Sequence, residues 1–168
     1  MDPRSFISTL EKMLPLFSDK SFRLEKGVFL ETHEGAGAVE EAIDFLRKQE
    51  PLEPFRMSAG LSHAALDHAR DLERGGTGHK GSDGSQPWDR AQRYGEWIGQ
   101  MAENIHYGTT SPRGVVVSWI VDDGIRNRGH RKNLFTPDYR KVGIASASHP
   151  EFGSVYVLDL AGDFQERH

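Results

Sequence analysis

A chain of 168 residues is long enough to bury one good core and too short for two comfortable ones. Its 21 basic and 25 acidic residues leave a net charge of -4, without the broad positive field that a nucleic-acid partner selects. The sequence holds no cysteine, so thiol catalysis, disulfide staples and cysteine-ligated zinc are excluded.

Residues 5 to 17 carry Phe6, Leu10, Met13, Leu14 and Phe17 at helical spacing, which predicts a short amphipathic helix interrupted near Pro15. No continuous apolar leader precedes it, so no signal peptide is read in the chain, and no stretch reaches the length of a membrane span. Residues 18 to 35 are expected to be irregular. Together, residues 1-35 form an N-terminal extension that packs on a single domain, 36-168.

From Ala38 the pattern turns helical, with Val39, Ile43 and Leu46 on one face, until Pro51 and Pro54. Ser58 is a plausible N-cap for a second helix, whose stripe is Leu61, Ala65, His68, Ala69 and Leu72 and which Gly75-Gly76 ends. Residues 75 to 90 are turn-rich. A polar, aromatic-dotted segment then leads to Ala102-Glu103-Asn104-Ile105. A third helix starts near Pro112, buries Val115, Val116, Trp119 and Ile120, and closes at Asp122-Asp123-Gly124. A basic loop, 128 to 135, precedes a terminal hairpin formed by residues 141 to 148 and 154 to 161. The last strand is apolar on both sides and asks for cover on both. The expected core includes Leu61, Ala65, Leu72, Val116, Trp119, Val142, Ile144, Val157 and Leu158. Helices followed by a hairpin give an α+β class, with a small antiparallel sheet flanked by helices in an α-β-α sandwich.

Four pieces in order carry a resemblance: His68-Ala69 followed by His79, then Ala102-Glu103-Asn104-Ile105, then Trp119 with Asp122, then Gly129-His130-Arg131-Lys132-Asn133-Leu134. With the closing hairpin they resemble the CAP (SCP) superfamily, which includes cysteine-rich secretory proteins, antigen 5 and plant pathogenesis-related proteins of group 1. The resemblance covers residues 38 to 162 and is to bacterial-type members without cysteines. It implies a cleft lined by His79, Glu103, Asp122 and His130, and a secreted or cell-envelope location. A cytoplasmic location stays open. Asp122 stands where the complete family tetrad usually has Glu, and Asp123 competes with it; Ala102 replaces the common glycine before Glu103.

Two neutral imidazoles can ligate a divalent cation while carboxylates orient the rings. His79 and His130 are the expected ligands, zinc the expected ion on ligand softness, and no organic cofactor is called for. Arg128 and Arg131 flank His130, and cationic neighbours favour its neutral, ligating form. His68 lies on an apolar stripe and reads as a core histidine, not a ligand. No zinc-protease helix, nucleophile elbow or twelve-residue calcium loop is present.

Three functions follow from these residues. The first is a module that binds a protein, lipid or small-molecule partner, with no nucleic acid. The second is a metal-dependent hydrolase of peptides or esters using Glu103, Asp122 and His130. The third is a structural domain whose tetrad is a relic.

Overall fold

The computed structural model describes residues 2-167. Their contacts gather into two compact units interleaved along the chain. The first unit is Met1–Leu52 with Val116–Leu134, and the second is Glu53–Val115 with Phe135–His168.

In the first unit, a 3-10 turn leads into α1 (Ile7–Met13), and a second such turn at Pro15 ends it, because proline removes the next helical donor. Leu10 is fully buried, and α1 lies against α2 (Ala36–Lys48). The stripe Val39, Ile43 and Leu46, widened by Ala38 and Ala42, is buried as its 3.6-residue period requires.

The segment between α1 and α2 departs from expectation. It is not irregular but forms an antiparallel sheet of β1 (Phe17–Ser18), β2 (Ser21–Glu25) and β3 (Val28–Glu31). Two-residue turns make it possible. Asp19 sits at φ 54° in the first turn, and Gly27 at φ 81° in the second. Charged residues spaced through the strands hide this pattern from a reading based on apolar alternation.

The second unit is built on a four-stranded sheet of order β4-β6-β7-β5. These strands are β4 (Arg56–Met57), β5 (Gly95–Tyr107), β6 (Lys141–His149) and β7 (Gly153–Glu166). It is antiparallel except for β4, which runs parallel to β6, so the sheet is mixed. Helix α3 (Ala59–Leu72) lies on it, started by Ser58, whose Oγ accepts from the Leu61 amide at 3.1 Å. Ala65, Ala69 and Leu72 pack with Ile105, Val155 and Val157, while Leu61 and Ala64 pack with Ala91, Ala161 and Phe164. Small residues let the helix sit close. At Gly143 a Cβ would collide with the Leu61–Ser62 backbone.

Residues 87 to 92, expected as turn, form α4 (Pro87–Gln92). Pro87 occupies its first turn, and a capping box joins Gln86 and Asp89. Helix α5 (Pro112–Val121) begins in the second unit and ends in the first, with Val115, Val117, Trp119 and Ile120 buried. Residues 129 to 135, expected as loop, form α6 (Gly129–Phe135). The class is α+β, as expected. Two core assignments need correction: Val116 is only half-buried and Ile144 is 45% exposed. Alternation along β6 puts Ile144 on the face opposite Gly143, away from α3. Among the described residues, no helix is long and apolar enough to cross a membrane.

Candidate functional site

Each unit carries one carboxylate–histidine pair, and each pair is assembled by its own local structure.

In the second unit, Glu103 sits within β5 with its side chain almost wholly buried. Its Oε1 meets His79 Nδ1 at 2.8 Å, and its Oε2 accepts from Arg90 Nη2 at 2.7 Å. Every carboxylate oxygen of Glu103 thus has a partner. The His79 ring is half exposed, and its Nε2 has no protein partner among the described residues. His79 belongs to a glycine-rich loop that would be mobile without its four side-chain braces. His68 Nε2 lies 2.8 Å from the Gly78 carbonyl, and the Tyr107 hydroxyl accepts from the Gly78 amide at 2.8 Å. Arg90 Nη2 donates to the His79 carbonyl at 3.1 Å, and His149 Nε2 lies 2.9 Å from the Gly76 carbonyl.

Arg90 is the residue that sequence reasoning missed. It is buried to 2% exposure, on a six-residue helix too short to show periodicity. A charge buried to that degree needs a partner, and Glu103 supplies it. His68 is confirmed in position as a buried histidine. Burial lowers its pKa, which favours the neutral ring; in the tautomer whose Nε2–H donates to Gly78, Nδ1 is an acceptor without a partner. Asp159 is a second residue that the sequence does not announce. It lies opposite Glu103 across β7 and β5, is fully buried, and no protein donor among the described residues reaches either of its oxygens. Burial, reinforced by the charge of Glu103, raises its pKa well above the ordinary carboxylate value.

In the first unit, Asp122 ends α5 at φ 55°, a left-handed conformation that Asp tolerates at a helix C-terminus. From there Oδ1 meets His130 Nδ1 at 2.7 Å, while Oδ2 accepts from the His130 amide at 2.9 Å and the Arg131 amide at 3.3 Å. One carboxylate therefore orients the His130 ring and caps α6, which explains why a polar segment is helical. Asp123 does different work: its oxygens accept from the His33 and Glu34 amides at 2.7 and 2.8 Å. The partner of His130 is Asp122.

The arginines beside His130 are not bare cations. Arg128 pairs with Glu34 and Glu41, and Arg131 with Glu41, while Arg131 also donates to the Ile120 and Val121 carbonyls. Arg128 and the Gly124 amide hold the Glu34 carboxyl down at about 2. Among the described residues, no group of three or more His, Asp or Glu side chains is placed to hold a metal ion.

Residues 40–160 match the model of the cysteine-rich secretory protein family, CAP. An uncharacterized protein, YkwD of Bacillus subtilis (strain 168), is 26% identical over 125 residues, which is 74% of this chain but only 46% of that protein. The chain therefore spans less than half the length of this relative. An outer surface protein of Borrelia burgdorferi has a similar fold, with a TM-score of 0.55 at 19% identity over 69% of this chain and 80% of that one. An extracellular protein containing an SCP domain from Bacillus anthracis str. Ames gives 0.52 at 18% identity, over 66% of this chain and 34% of that one.

Proposed function

The chain belongs to the cysteine-rich secretory protein (CAP) family, and from that premise we propose that it is a ligand- or partner-binding module in which His79 and His130 each serve as a ligand for a divalent cation, zinc by preference. The observation that supports this reading is that both imidazoles have Nδ1 held by a carboxylate, at 2.8 Å from Glu103 and 2.7 Å from Asp122. A carboxylate on Nδ1 fixes the tautomer and the ring, and directs ligation to Nε2. With imidazole donors alone the affinity is modest and the ion exchangeable. Bound zinc would supply Lewis acidity or a ligand-binding position.

The same bonds weigh against hydrolysis. Each oxygen of Glu103 and of Asp122 already accepts a hydrogen bond, so both carboxylates are engaged by protein donors. They are compatible with a purely structural role, and a metal titration separates the two. We take residues 36-168 as the CAP domain and 1-35 as its extension. We place the protein outside the cell or in its envelope, on the surface and extracellular descriptions of the two structural neighbours.

Calorimetric zinc titration at neutral pH tests the proposal. A saturable isotherm is expected that weakens at pH 5, where protons compete for imidazole nitrogen. It should be lost in His79→Ala and in His130→Ala. No isotherm, or one indifferent to both substitutions, leaves the structural role in its place.

A further inference from the structure

Behind the Glu103–Arg90 pair, within the second unit, a cavity of about 330 Å³ opens between the C-terminal half of α3, the loop at 81 to 85 and α4. Its lining residues are polar or charged apart from Gly81. Which of those charges are still free decides what it can hold.

The acids are committed. Asp67 accepts from Arg93 Nη1 at 3.2 Å and from the Tyr94 hydroxyl at 2.9 Å. Asp71 accepts from the Ser82 amide at 2.7 Å and from its hydroxyl. Asp83 accepts from Arg93 Nη2 at 2.7 Å and from the Ser85 amide at 2.9 Å. Arg93 is spent on two of these three. Arg70 and Arg74 also line the cavity, and neither guanidinium makes an ion pair or side-chain hydrogen bond among the described residues. Arg70 lies in the last turn of α3 and Arg74 just beyond its C-terminal end, and both line the same cavity.

The buried lining adds a second, independent observation. His68 and Arg90 both line the cavity, and each keeps one buried nitrogen without a partner: His68 Nδ1, an acceptor in the tautomer that donates to Gly78, and Arg90 Nε–H, a donor. Leaving such atoms unmatched is costly, because each gives up its hydrogen bond to water on burial. A hydroxyl group answers both, because it donates and accepts.

We propose that this cavity binds a small oxyanion of the phosphate class that retains a hydroxyl, either hydrogen phosphate or a phosphomonoester carrying an alcohol. Two guanidinium forks offer more donors than one carboxylate can accept, whereas the three oxygens of a phosphate group engage both. The hydroxyl is the group assigned to the His68 and Arg90 nitrogens; both are closed to solvent here, so the lining must open for it to meet them. The site takes no residue from the proposed metal ligands and does not rest on the metal reading.

Calorimetric titration of the full chain with inorganic phosphate, glycerol 2-phosphate and sulfate, slightly above neutral pH, tests this. Phosphate should give a saturable isotherm. Arg70→Gln with Arg74→Gln should weaken it by at least about tenfold with unchanged thermal stability, since neither side chain has a structural partner. Arg126→Gln, elsewhere on the surface, should leave it intact. Sulfate, with no hydroxyl at this pH, should bind at least about tenfold more weakly than phosphate. A stronger isotherm with glycerol 2-phosphate identifies a phosphomonoester as the ligand, and a stronger one with phosphate identifies the free anion. No saturable heat with either, or equal binding by the double variant, overturns the site; equal binding of sulfate and phosphate overturns the role given to the hydroxyl.

Discussion

Glu103 and Asp159 stand directly opposite each other on neighbouring strands, both buried, yet one is neutralised by Arg90 while no protein donor among the described residues reaches the other. Two carboxylates cannot both remain charged at that range without a second cation. Burial, then the charge of Glu103, pushes the Asp159 pKa well up and so favours its protonated form.

The sign of its pH dependence follows. An unfolded aspartate gives up its proton near the ordinary value of 3.8, whereas folded Asp159 keeps it to a higher pH. The folded state then binds more protons than the unfolded one, so stability falls as pH rises through that window. Asp159→Asn should raise the melting temperature at neutral pH and flatten its decline above pH 4. Thermal unfolding followed from about pH 4 to 8 checks this. A lower melting temperature across the whole range would show that the carboxylate is needed charged.

Arg90 should be the costliest single residue to lose. Removing it strands Glu103 beside Asp159 and unties the Ser85 and His79 carbonyls, which it holds at 3.1 Å each. Breaking one side of a buried ion pair costs about 3–5 kcal/mol, and Arg90→Met should fall in that range by denaturant unfolding. Arg90→Met combined with Glu103→Gln should recover part of the loss, because the orphaned charge is then gone. A loss under about 1 kcal/mol in the single variant would mean the pair is solvent-screened.

Acid should weaken the first unit through Glu34. Its pKa is lowered from 4.5 to about 2 by Arg128, so the stability it contributes is complete above 4.5 and lost as pH falls toward 2. The side chain is partly exposed, which screens the effect and keeps it small. Glu34→Gln should remove that part of the acid transition and be nearly silent below pH 2. An unchanged acid limb in the variant would contradict it.

Asp122 and Asp123 should fail differently. Asp122→Ala removes both the cap of α6 and the hydrogen bond to His130 Nδ1, costing about 1–2 kcal/mol and freeing the ring to change tautomer. Asp123→Ala loosens only the segment at 33 and 34. Nitrogen-15 spectra of the His130 ring distinguish them: a tautomer change is expected in the first variant and not in the second.

The helices α2, α3 and α5 were legible because their apolar stripes run long enough to show a period, and Ser58 declared the start of α3. The family's ordered motifs located His79, Glu103, Asp122 and His130, and local geometry pairs them two by two. What escaped was short or held from a distance. Helix α6 is capped by a carboxylate eight residues upstream of His130, and α4 announces itself only through Pro87 and a capping box. Arg90 and Asp159 look like surface residues in sequence, because burial of a charge depends on partners that only the sheet register assembles.

The most direct test of the central claim is the nitrogen-15 spectrum of the histidine rings recorded during zinc addition. The account predicts that the Nε2 resonances of His79 and His130 shift together in proportion to added metal, while buried His68, held to Gly78, does not move. Zinc-induced shifts confined to other histidines, or no shift in either ring at saturating metal, would contradict it.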